Sequence, residues 1–178
     1  MELILWRHAE AADSSPDIAR ELTAKGRLQA QKMAAFLQQH LPADTRILVS
    51  PATRTRQTVS ALTDKFTVVN SLAPNASAHA ILQAARWPNG LARFPHPNLP
   101  PTGEGANASL REHKNLGNDT VLIVGHQPTL GTVAALLLGS AETSLSIKKG
   151  ALWWFCRRER DDSAQTTLRL VITPDMLD

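Results

Sequence analysis

The sequence predicts an α/β fold of three layers, in which a mostly parallel central sheet has helices on both faces and carries an antiparallel C-terminal hairpin. Three apolar runs of strand length, 3–6, 46–49 and 121–124, each precede a segment with the spacing or the cap of a helix. Continuous apolar runs of this kind are typical of parallel strands that are covered on both faces. Two β-rich runs, 151–156 and 167–172, are separated by a polar turn and indicate the hairpin at the sheet edge.

Composition indicates one globular domain over residues 1–178 and excludes several classes of function. The chain has 178 residues, 43% of them hydrophobic, which suffices for one core. A formal charge of +3 is too small for a dedicated nucleic-acid surface, so a small or local anion is the expected ligand. The single cysteine, Cys156, excludes an internal disulfide and a cysteine-rich metal cluster. Because we find neither a signal peptide nor a membrane span, we expect a cytoplasmic protein with no membrane partner.

Helix signals follow the first two predicted strands. Thr23 is a candidate N-cap for a helix from Ala24 to Gln39, which ends before Pro42. Ser50 and Pro51 predict that the second strand leads directly into a helix, with the Ser50 hydroxyl as its cap. The apolar residues expected on the buried face of the first helix are Leu28, Met33, Ala34 and Leu37.

Basic side chains and histidines follow the predicted strands at the point where each strand ends. Arg7 and His8 follow the first strand, and His126 follows the third. Arg54 lies in the first turn of the helix after the second strand, and Arg56 must point elsewhere because it is two residues further along. Open α/β sheets bind ligands at the carboxyl ends of their strands. Two histidines alone would also suit zinc, but arginines at the same edge favour a phosphate over a cation.

Four motifs occur together in this sequence and carry a family resemblance. They are Arg7-His8, Arg20-x-Leu22-Thr23-x-x-Gly26, Ser50-Pro51-Ala52-Thr53-Arg54 with Gln57-Thr58, and Gly125-His126-Gln127-Pro128. Together they resemble the histidine phosphatase superfamily, which includes the phosphoglycerate mutases, and within it the small phosphohistidine phosphatases of the SixA group. The resemblance covers residues 1–86 and 119–155. Ala9 departs from the glycine that much of the superfamily has there, although a small residue remains compatible with the turn.

Phosphoryl transfer requires a nucleophile in line with phosphorus and positive charge around the equatorial oxygens. We expect His8 to be the nucleophile, because a neutral imidazole is available at neutral pH and adjacent cations disfavour its protonation. Arg7 and Arg54 would bind the oxygens, and the resemblance implies that His126 donates a further hydrogen bond. Arg20 would assist substrate binding at the pocket rim. No cofactor and no metal ion is expected, because the arginines supply the positive charge.

The predicted leaving group depends on whether the sequence offers an acid that could protonate it. Residues 87–118 are rich in proline and are expected to form an inserted loop with one helix near 106–114. Larger members of the superfamily resembled here use a carboxylic acid from the middle of the chain to protonate a departing alcohol. The acids between Thr58 and Val121 are Asp64, Glu104, Glu112 and Asp119, and none is a convincing proton donor. The expected substrate is therefore phosphohistidine on a protein, with Glu104 the candidate acid if an ester is cleaved instead.

Other functions remain open at this stage. A small-molecule phosphomonoesterase or a mutase of the same superfamily would act on a small phosphate compound, and a non-catalytic phosphate-binding module would keep the arginines without turnover. The basic residues at 148–149 and 157–160 either serve solubility or form a docking surface for an acidic protein partner.

Overall fold

The computed structural model describes residues 1–87, 119–160 and 163–177, which form a mixed sheet between two layers of helices. This arrangement confirms the predicted α/β class and the C-terminal hairpin. The strands are β1 (Glu2–Arg7), β2 (Arg46–Val49), β3 (Thr67–Val68), β4 (Thr120–Gly125), β5 (Leu152–Arg160) and β6 (Ser163–Ile172). The α-helices are α1 (Ala24–His40), α2 (Thr53–Ser60), α3 (Ala78–Ala85) and α4 (Thr129–Leu138), and short 3-10 helices cover Asp17–Ala19, Asn70–Leu72 and Pro174–Met176.

The strand order in the sheet is β3-β2-β4-β1-β5-β6. The first four strands in this order are parallel, whereas β5 runs antiparallel to both β1 and β6. Arg7 at the end of β1 lies opposite Gly125 at the end of β4, and Val49 at the end of β2 lies opposite Val124. The three parallel strands that carry the site motifs therefore end at nearly the same level, and the residues that follow them meet at one edge.

Alternate residues of the buried strands face opposite helical layers, as the pleat of a strand requires. Ile4 and Trp6 pack with Met33 and Leu37 of α1, whereas Leu3 and Leu5 pack in the cluster that contains α3 and α4. All four of these β1 side chains are fully buried. Burial of an aliphatic side chain contributes roughly 1.5–3 kcal/mol relative to exposure, so these two clusters hold the edge of the sheet in a fixed position.

Of the two helix caps predicted from the sequence, Thr23 is confirmed and Ser50 is not. The Thr23 side chain accepts a hydrogen bond from the Gly26 backbone N–H at the start of α1, and the Ser77 side chain accepts one from Ala80 at the start of α3. Helix α1 extends from Ala24 to His40, one residue beyond the predicted end.

Two details of the predicted helices are wrong. Leu28 is 61% exposed, because the buried face of α1 is made by Ala30, Met33, Ala34 and Leu37, and Leu28 lies on the opposite side of the helix. Helix α2 begins at Thr53 with Ala52 as N-cap, so β2 does not lead directly into a helix at Ser50. The Ser50 hydroxyl is instead within 2.7 Å of His126 Nε2, which removes it from the capping role.

The expected inserted loop at 87–118, with its helix and with Glu104 and Glu112, lies outside the described residues except for Trp87, which is buried in the core. In the part of the chain that is described, no helix is both long and apolar enough to cross a membrane. The basic residues at 148–149 and those from 157 onward lie at opposite ends of the sheet. Gly150 N–H donates to the His8 carbonyl, whereas Arg157 N–H donates to the Met1 carbonyl, so the two basic segments do not form one surface.

Candidate active site

The candidate site lies at the carboxyl edge of the parallel strands. The His8 backbone N–H donates to the Gly125 carbonyl at 3.1 Å, and the Ser50 N–H donates to the Val124 carbonyl at 3.1 Å. These bonds continue the ladders of β1, β4 and β2 by one residue. They bring the side chains of His8 and His126 together, with ring centroids 5.3 Å apart.

The His8 ring has a defined tautomer. Its Nδ1 lies 2.7 Å from the Ala9 carbonyl oxygen, which only accepts hydrogen bonds, so Nδ1 carries the hydrogen and Nε2 keeps its lone pair. The pKa of His8 is lowered from 6.5 to about 4, mainly by burial. The cations of Arg54 and Arg7 also act to lower it, whereas the hydrogen bond to the Ala9 carbonyl acts to raise it. The imidazole is therefore neutral at neutral pH and has a free nucleophilic nitrogen.

The His126 ring is held from one side only. Its Nε2 lies 2.7 Å from Ser50 Oγ, and its buried Nδ1 has no hydrogen-bond partner among the described residues. Its pKa is lowered to about 3, mainly by burial and also by the neighbouring His8 and Arg54, whereas the charge of Asp17 acts to raise it. His126 is thus a second neutral imidazole with an unused nitrogen at the same edge.

Arg7 and Arg54 place two cations beside these histidines. Arg7 donates from Nη1 to the Ile147 carbonyl at 2.6 Å, and burial lowers its pKa, although a guanidinium stays charged in proteins. Arg54 is 4% exposed and donates from Nη1 to the Asp17 carbonyl at 2.6 Å and from Nη2 to Asp17 Oδ2 at 2.9 Å. In the described part of the chain, the buried Nε atoms of both arginines have no acceptor. Each guanidinium therefore keeps donors for an incoming oxyanion.

Arg20 lies at the rim, where the loop before α1 passes over the sheet edge. It donates from Nε to the Ala12 carbonyl at 2.7 Å and from Nη1 to Asp17 Oδ1 at 3.2 Å. Arg20 and Arg54 thus share Asp17 as a hydrogen-bond acceptor. The hydrogen bonds that the structure describes for Arg20 are with Asp17 and the Ala12 carbonyl and not with either histidine. Arg56, by contrast, is exposed on the other side of α2.

Asp17 is the residue of this site that sequence reasoning missed. Its carboxylate contacts Arg54 and Arg20, and it influences the pKa of His126. Asp17 lies in the loop after β1, outside the stretch between Thr58 and Val121 where the family resemblance places the acid. The spacing of an acid three residues before Arg20 was the available signal.

Thr58 and Gly26, two further residues of the motifs, fix the backbone around His8. Thr58 Oγ1 accepts from the Ala9 N–H at 3.1 Å and donates to the Arg54 carbonyl at 2.7 Å, so α2 is tied to the turn after β1. Gly26 packs so closely on the Glu10 backbone that a Cβ atom would overlap the Glu10 carbonyl oxygen. A side chain at position 26 would therefore push α1 away from the turn that carries His8.

The arrangement is suited to an oxyanion. It combines two buried guanidinium groups that keep free donors with two neutral imidazoles, one of which presents a lone pair at Nε2. Over the residues that the structure describes, no group of three or more His, Cys, Asp or Glu side chains is placed to hold a metal ion. The chemistry of these donors fits a phosphoryl group surrounded by cationic hydrogen-bond donors.

Sequence comparisons relate the chain to known phosphatases. The sequence model of the histidine phosphatase superfamily (branch 1) matches residues 3–75. A phosphohistidine phosphatase SixA homolog of Haemophilus influenzae is 29% identical over 153 residues, which cover 78% of each chain. An uncharacterised protein of a Picosynechococcus strain is 33% identical over 162 residues, covering 85% of this chain and 82% of that protein.

Solved structures share the fold. The structure of the protein histidine phosphatase SixA complexed with tungstate superposes with a TM-score of 0.67 at 23% identity and covers 100% of both chains. A phosphoserine phosphatase of Entamoeba histolytica in complex with 3-phosphoglyceric acid superposes with a TM-score of 0.60 at 18% identity, covering 96% of this chain and 95% of that one. At these identities the similarity shows only a shared fold. The two proteins are named for different substrates, phosphorylated histidine in one and phosphoserine in the other.

Proposed function

Because this chain belongs to the histidine phosphatase superfamily, we propose that it is a metal-independent phosphatase that hydrolyses phosphohistidine on a protein through a phosphorylated His8. The observation that carries the proposal is His8 itself. It is a buried, neutral imidazole whose Nδ1 is bound to the Ala9 carbonyl and whose Nε2 has no hydrogen. Two buried arginines and a second neutral histidine lie at the same edge.

In the first step, the Nε2 lone pair of His8 attacks phosphorus, and the bond from phosphorus to the substrate nitrogen breaks. The substrate imidazole takes a proton from solvent on its other nitrogen before the bond breaks, so it keeps the bonding pair and leaves as a neutral ring. The ring of phosphorylated His8 gains positive charge, and the hydrogen bond from Nδ1 to the Ala9 carbonyl at 2.7 Å stabilises that charge. In the second step, water attacks phosphorus, Nε2 recovers its electron pair, and inorganic phosphate leaves.

Positive charge around the phosphoryl oxygens comes from Arg7 and Arg54, whose buried Nε atoms are free to donate. His126 adds a hydrogen bond from Nδ1 if the Ser50 hydroxyl donates to its Nε2, which is the arrangement we propose. Arg20 contributes to substrate binding at the rim. These donors replace the charge that a metal ion supplies in other phosphatases, so no metal is required.

The nature of the leaving group favours a nitrogen–phosphorus bond. An alkoxide leaves poorly without a proton donor, and general acid catalysis contributes on the order of 10²–10⁴-fold, whereas an imidazole is protonated near neutral pH before the bond breaks. Asp64 is exposed beyond the end of α2, and Asp119 accepts hydrogen bonds from Arg46 at the amino end of the sheet. The hydrogen bond from Arg54 holds the pKa of Asp17 below its usual value, so this carboxyl is ionised.

A small-molecule phosphomonoesterase is the second candidate, because Asp17 places a carboxyl group beside Arg54. Two negative charges disfavour each other when they approach, so a bound phosphate would raise the pKa of Asp17 and convert it toward a proton donor. Glu104 is the alternative acid for the same reaction. Both routes predict efficient cleavage of an alkyl phosphate.

The deciding experiment compares kcat/KM for two peptides that differ in the phosphorylated residue, one with phosphohistidine and one with phosphoserine. We expect the phosphohistidine peptide to be hydrolysed at least about 100-fold more efficiently, the lower end of what general acid catalysis supplies. Equal or greater efficiency on phosphoserine would overturn the proposed substrate, and Asp17→Asn and Glu104→Gln would then identify the acid. The turnover that the His8→Ala variant retains on each peptide is subtracted as the part that does not depend on this site.

A further inference from the structure

Helix α2 has a second polar face that the candidate active site does not use. Thr53, Arg56, Gln57 and Ser60 recur at the spacing i, i+3, i+4, i+7, so they form one stripe along the helix. This stripe lines a groove of about 430 Å³, which Arg27 of α1 and Phe66 complete. The residues on the other side of α2 include Arg54 and Thr58, which belong to the candidate active site.

The groove is lined by hydrogen-bond donors. The Arg56 guanidinium and the hydroxyls of Thr53 and Ser60 have no hydrogen-bond partner among the residues that the structure describes. Gln57 uses its Oε1 to accept from the Leu22 N–H at 2.7 Å, which leaves the amide hydrogens free. Arg27 has a long ion pair of 3.7 Å with Glu21, and both side chains are largely exposed.

In the part of the chain that the structure describes, no negatively charged group of the groove faces these donors. Among the described residues that line it there is no carboxylate, whereas two arginines contribute positive charge. A surface with this composition favours a ligand that brings several carboxylate or carbonyl oxygens. The aromatic ring of Phe66 adds an apolar wall against which a hydrocarbon stem can pack.

The dimensions of the groove fit a short extended polypeptide. Thr53 and Ser60 are seven residues apart on a helix, which corresponds to about 10 Å along its axis. An extended chain rises about 3.3 Å per residue, so roughly three residues span this length. A volume of about 430 Å³ falls in the range of sites that hold organic ligands and exceeds the need of a single oxyanion.

The groove starts next to the candidate active site. Thr53 directly precedes Arg54 at the start of α2, and the Leu22 that donates to Gln57 follows the loop that carries Asp17 and Arg20. A polypeptide whose phosphorylated side chain enters the pocket therefore has the groove within reach of its neighbouring residues.

We propose that this groove binds an acidic segment of the phosphohistidine-bearing protein, with Arg56 and Arg27 as the residues that recognise its carboxylates. This inference rests on the proposed function and deepens it. It states that the groove along α2 determines which phosphohistidine-bearing proteins are preferred as substrates. Small phosphoramidates do not reach the groove, so the groove affects only the hydrolysis of polypeptide substrates.

The test uses two phosphohistidine peptides that are identical except that glutamates on both sides of the phosphohistidine are replaced by glutamines. We expect the wild-type protein to prefer the glutamate peptide about three- to tenfold in kcat/KM, the combined effect of two solvent-exposed ion pairs. Arg56→Glu is expected to abolish or reverse this preference while turnover of phosphoramidate stays unchanged. The preference of the wild type should also decrease as salt concentration rises.

Arg158→Glu is the matched control. Arg158 is exposed on β5 near the amino end of β1, at the opposite end of the sheet, so the same change in charge leaves the groove intact. The proposal is overturned if Arg56→Glu retains the wild-type preference, if it slows phosphoramidate as much as the glutamate peptide, or if Arg158→Glu removes the preference equally.

Failure of the proposed function gives a different result. In that case the wild type hydrolyses neither phosphoramidate nor either peptide, and binding is measured instead with the unphosphorylated glutamate and glutamine peptides by fluorescence anisotropy. Tighter binding of the glutamate peptide that Arg56→Glu removes supports the groove, and equal binding of the two peptides rejects it.

Discussion

Asp17 accepts two hydrogen bonds from the guanidinium of Arg54, one at its carboxylate and one at its backbone carbonyl, at 2.9 and 2.6 Å. The Arg54 side chain is 5% exposed and the Asp17 side chain 54%, so a solvent-facing acid covers a buried cation. The same carboxylate accepts from Arg20 at 3.2 Å. Asp17 therefore uses two of the N–H donors of Arg54, the residue that we propose as a phosphoryl ligand.

We expect Asp17→Asn to strengthen the binding of vanadate, a mimic of five-coordinate phosphorus. The substitution removes a negative charge from the neighbourhood of the bound oxyanion, and at the dielectric of a partly exposed site this is worth on the order of 1–2 kcal/mol, or about five- to thirtyfold in the inhibition constant. The measurement is the inhibition constant of vanadate at fixed ionic strength.

Asp13→Asn is the control for this prediction, because it changes the net charge equally on the same loop. Asp13 is fully exposed and lies 3.9 Å from Arg20. Vanadate inhibition should therefore change little. Weaker vanadate binding in Asp17→Asn would show that Asp17 serves to orient Arg54 and does not compete with the ligand.

Arg54 and Arg56 form a matched pair, two residues apart on α2 and on different faces. Arg54→Ala is expected to lower kcat/KM for a small phosphorylated substrate by about ten- to a hundredfold, which corresponds to the 1.5–3 kcal/mol of a hydrogen bond to a charged group. Arg56→Ala should leave the same value unchanged. If the two variants exchanged these effects, Arg56 and not Arg54 would be the phosphoryl ligand.

His8→Ala is expected to reduce turnover by more than about 10³-fold, because removal of a nucleophile leaves only the contribution of binding and charge. Circular dichroism and the urea midpoint establish whether the fold is retained. Turnover within tenfold of the wild type would exclude His8 as the nucleophile. Acid-labile labelling of the wild-type protein that is absent from His8→Ala identifies the intermediate directly.

The two buried histidines make the fold sensitive to acid. Their pKa values are about 4 for His8 and about 3 for His126, against 6.5 for the free side chain, so below pH 6.5 the unfolded chain binds protons that the folded protein does not. Their contribution is fully present above pH 6.5 and is lost as pH falls toward the folded pKa values. Near pH 5, each further decrease of one pH unit should lower the free energy of unfolding by roughly 2 kcal/mol for the two histidines together.

Urea unfolding at several pH values between 6.5 and 5 tests this dependence. His126→Gln is expected to halve the slope of the unfolding free energy against pH, since one of the two histidines then no longer titrates. His79→Gln is the control, because His79 is exposed on α3. An unchanged slope in His126→Gln would contradict the assignment of acid sensitivity to the site.

Chelation tests the proposed independence from metal ions. We expect EDTA to leave turnover unchanged, because the positive charge on the phosphoryl group comes from arginines that cannot be chelated. Vanadate inhibition of the same sample, measured after EDTA has been removed by desalting, confirms that the site is intact. Loss of turnover on chelation, with recovery on addition of a divalent ion, would contradict the proposed mechanism.

The sequence by itself determined the α/β class and placed Arg7, His8 and His126 directly after strands of the sheet. Three apolar runs of strand length can be buried only in a covered sheet, and parallel strands bring their carboxyl ends to one edge. Arg7, His8 and His126 therefore had to lie near one another. A local signal also sufficed for Thr23, because an N-cap bonds to a backbone N–H only three residues away.

Contacts between distant parts of the chain were decided by the tertiary structure alone. Ser50 resembles a helix cap, yet β2 and β4 are parallel neighbours, so its hydroxyl lies beside a histidine 76 residues later and helix α2 begins at Thr53. The short strand β3 has only two residues, both exposed, and forms because β2 offers it an edge. Asp17 meets Arg54 across 37 residues because the loop after β1 folds over the sheet edge, and no periodicity encodes where a loop folds.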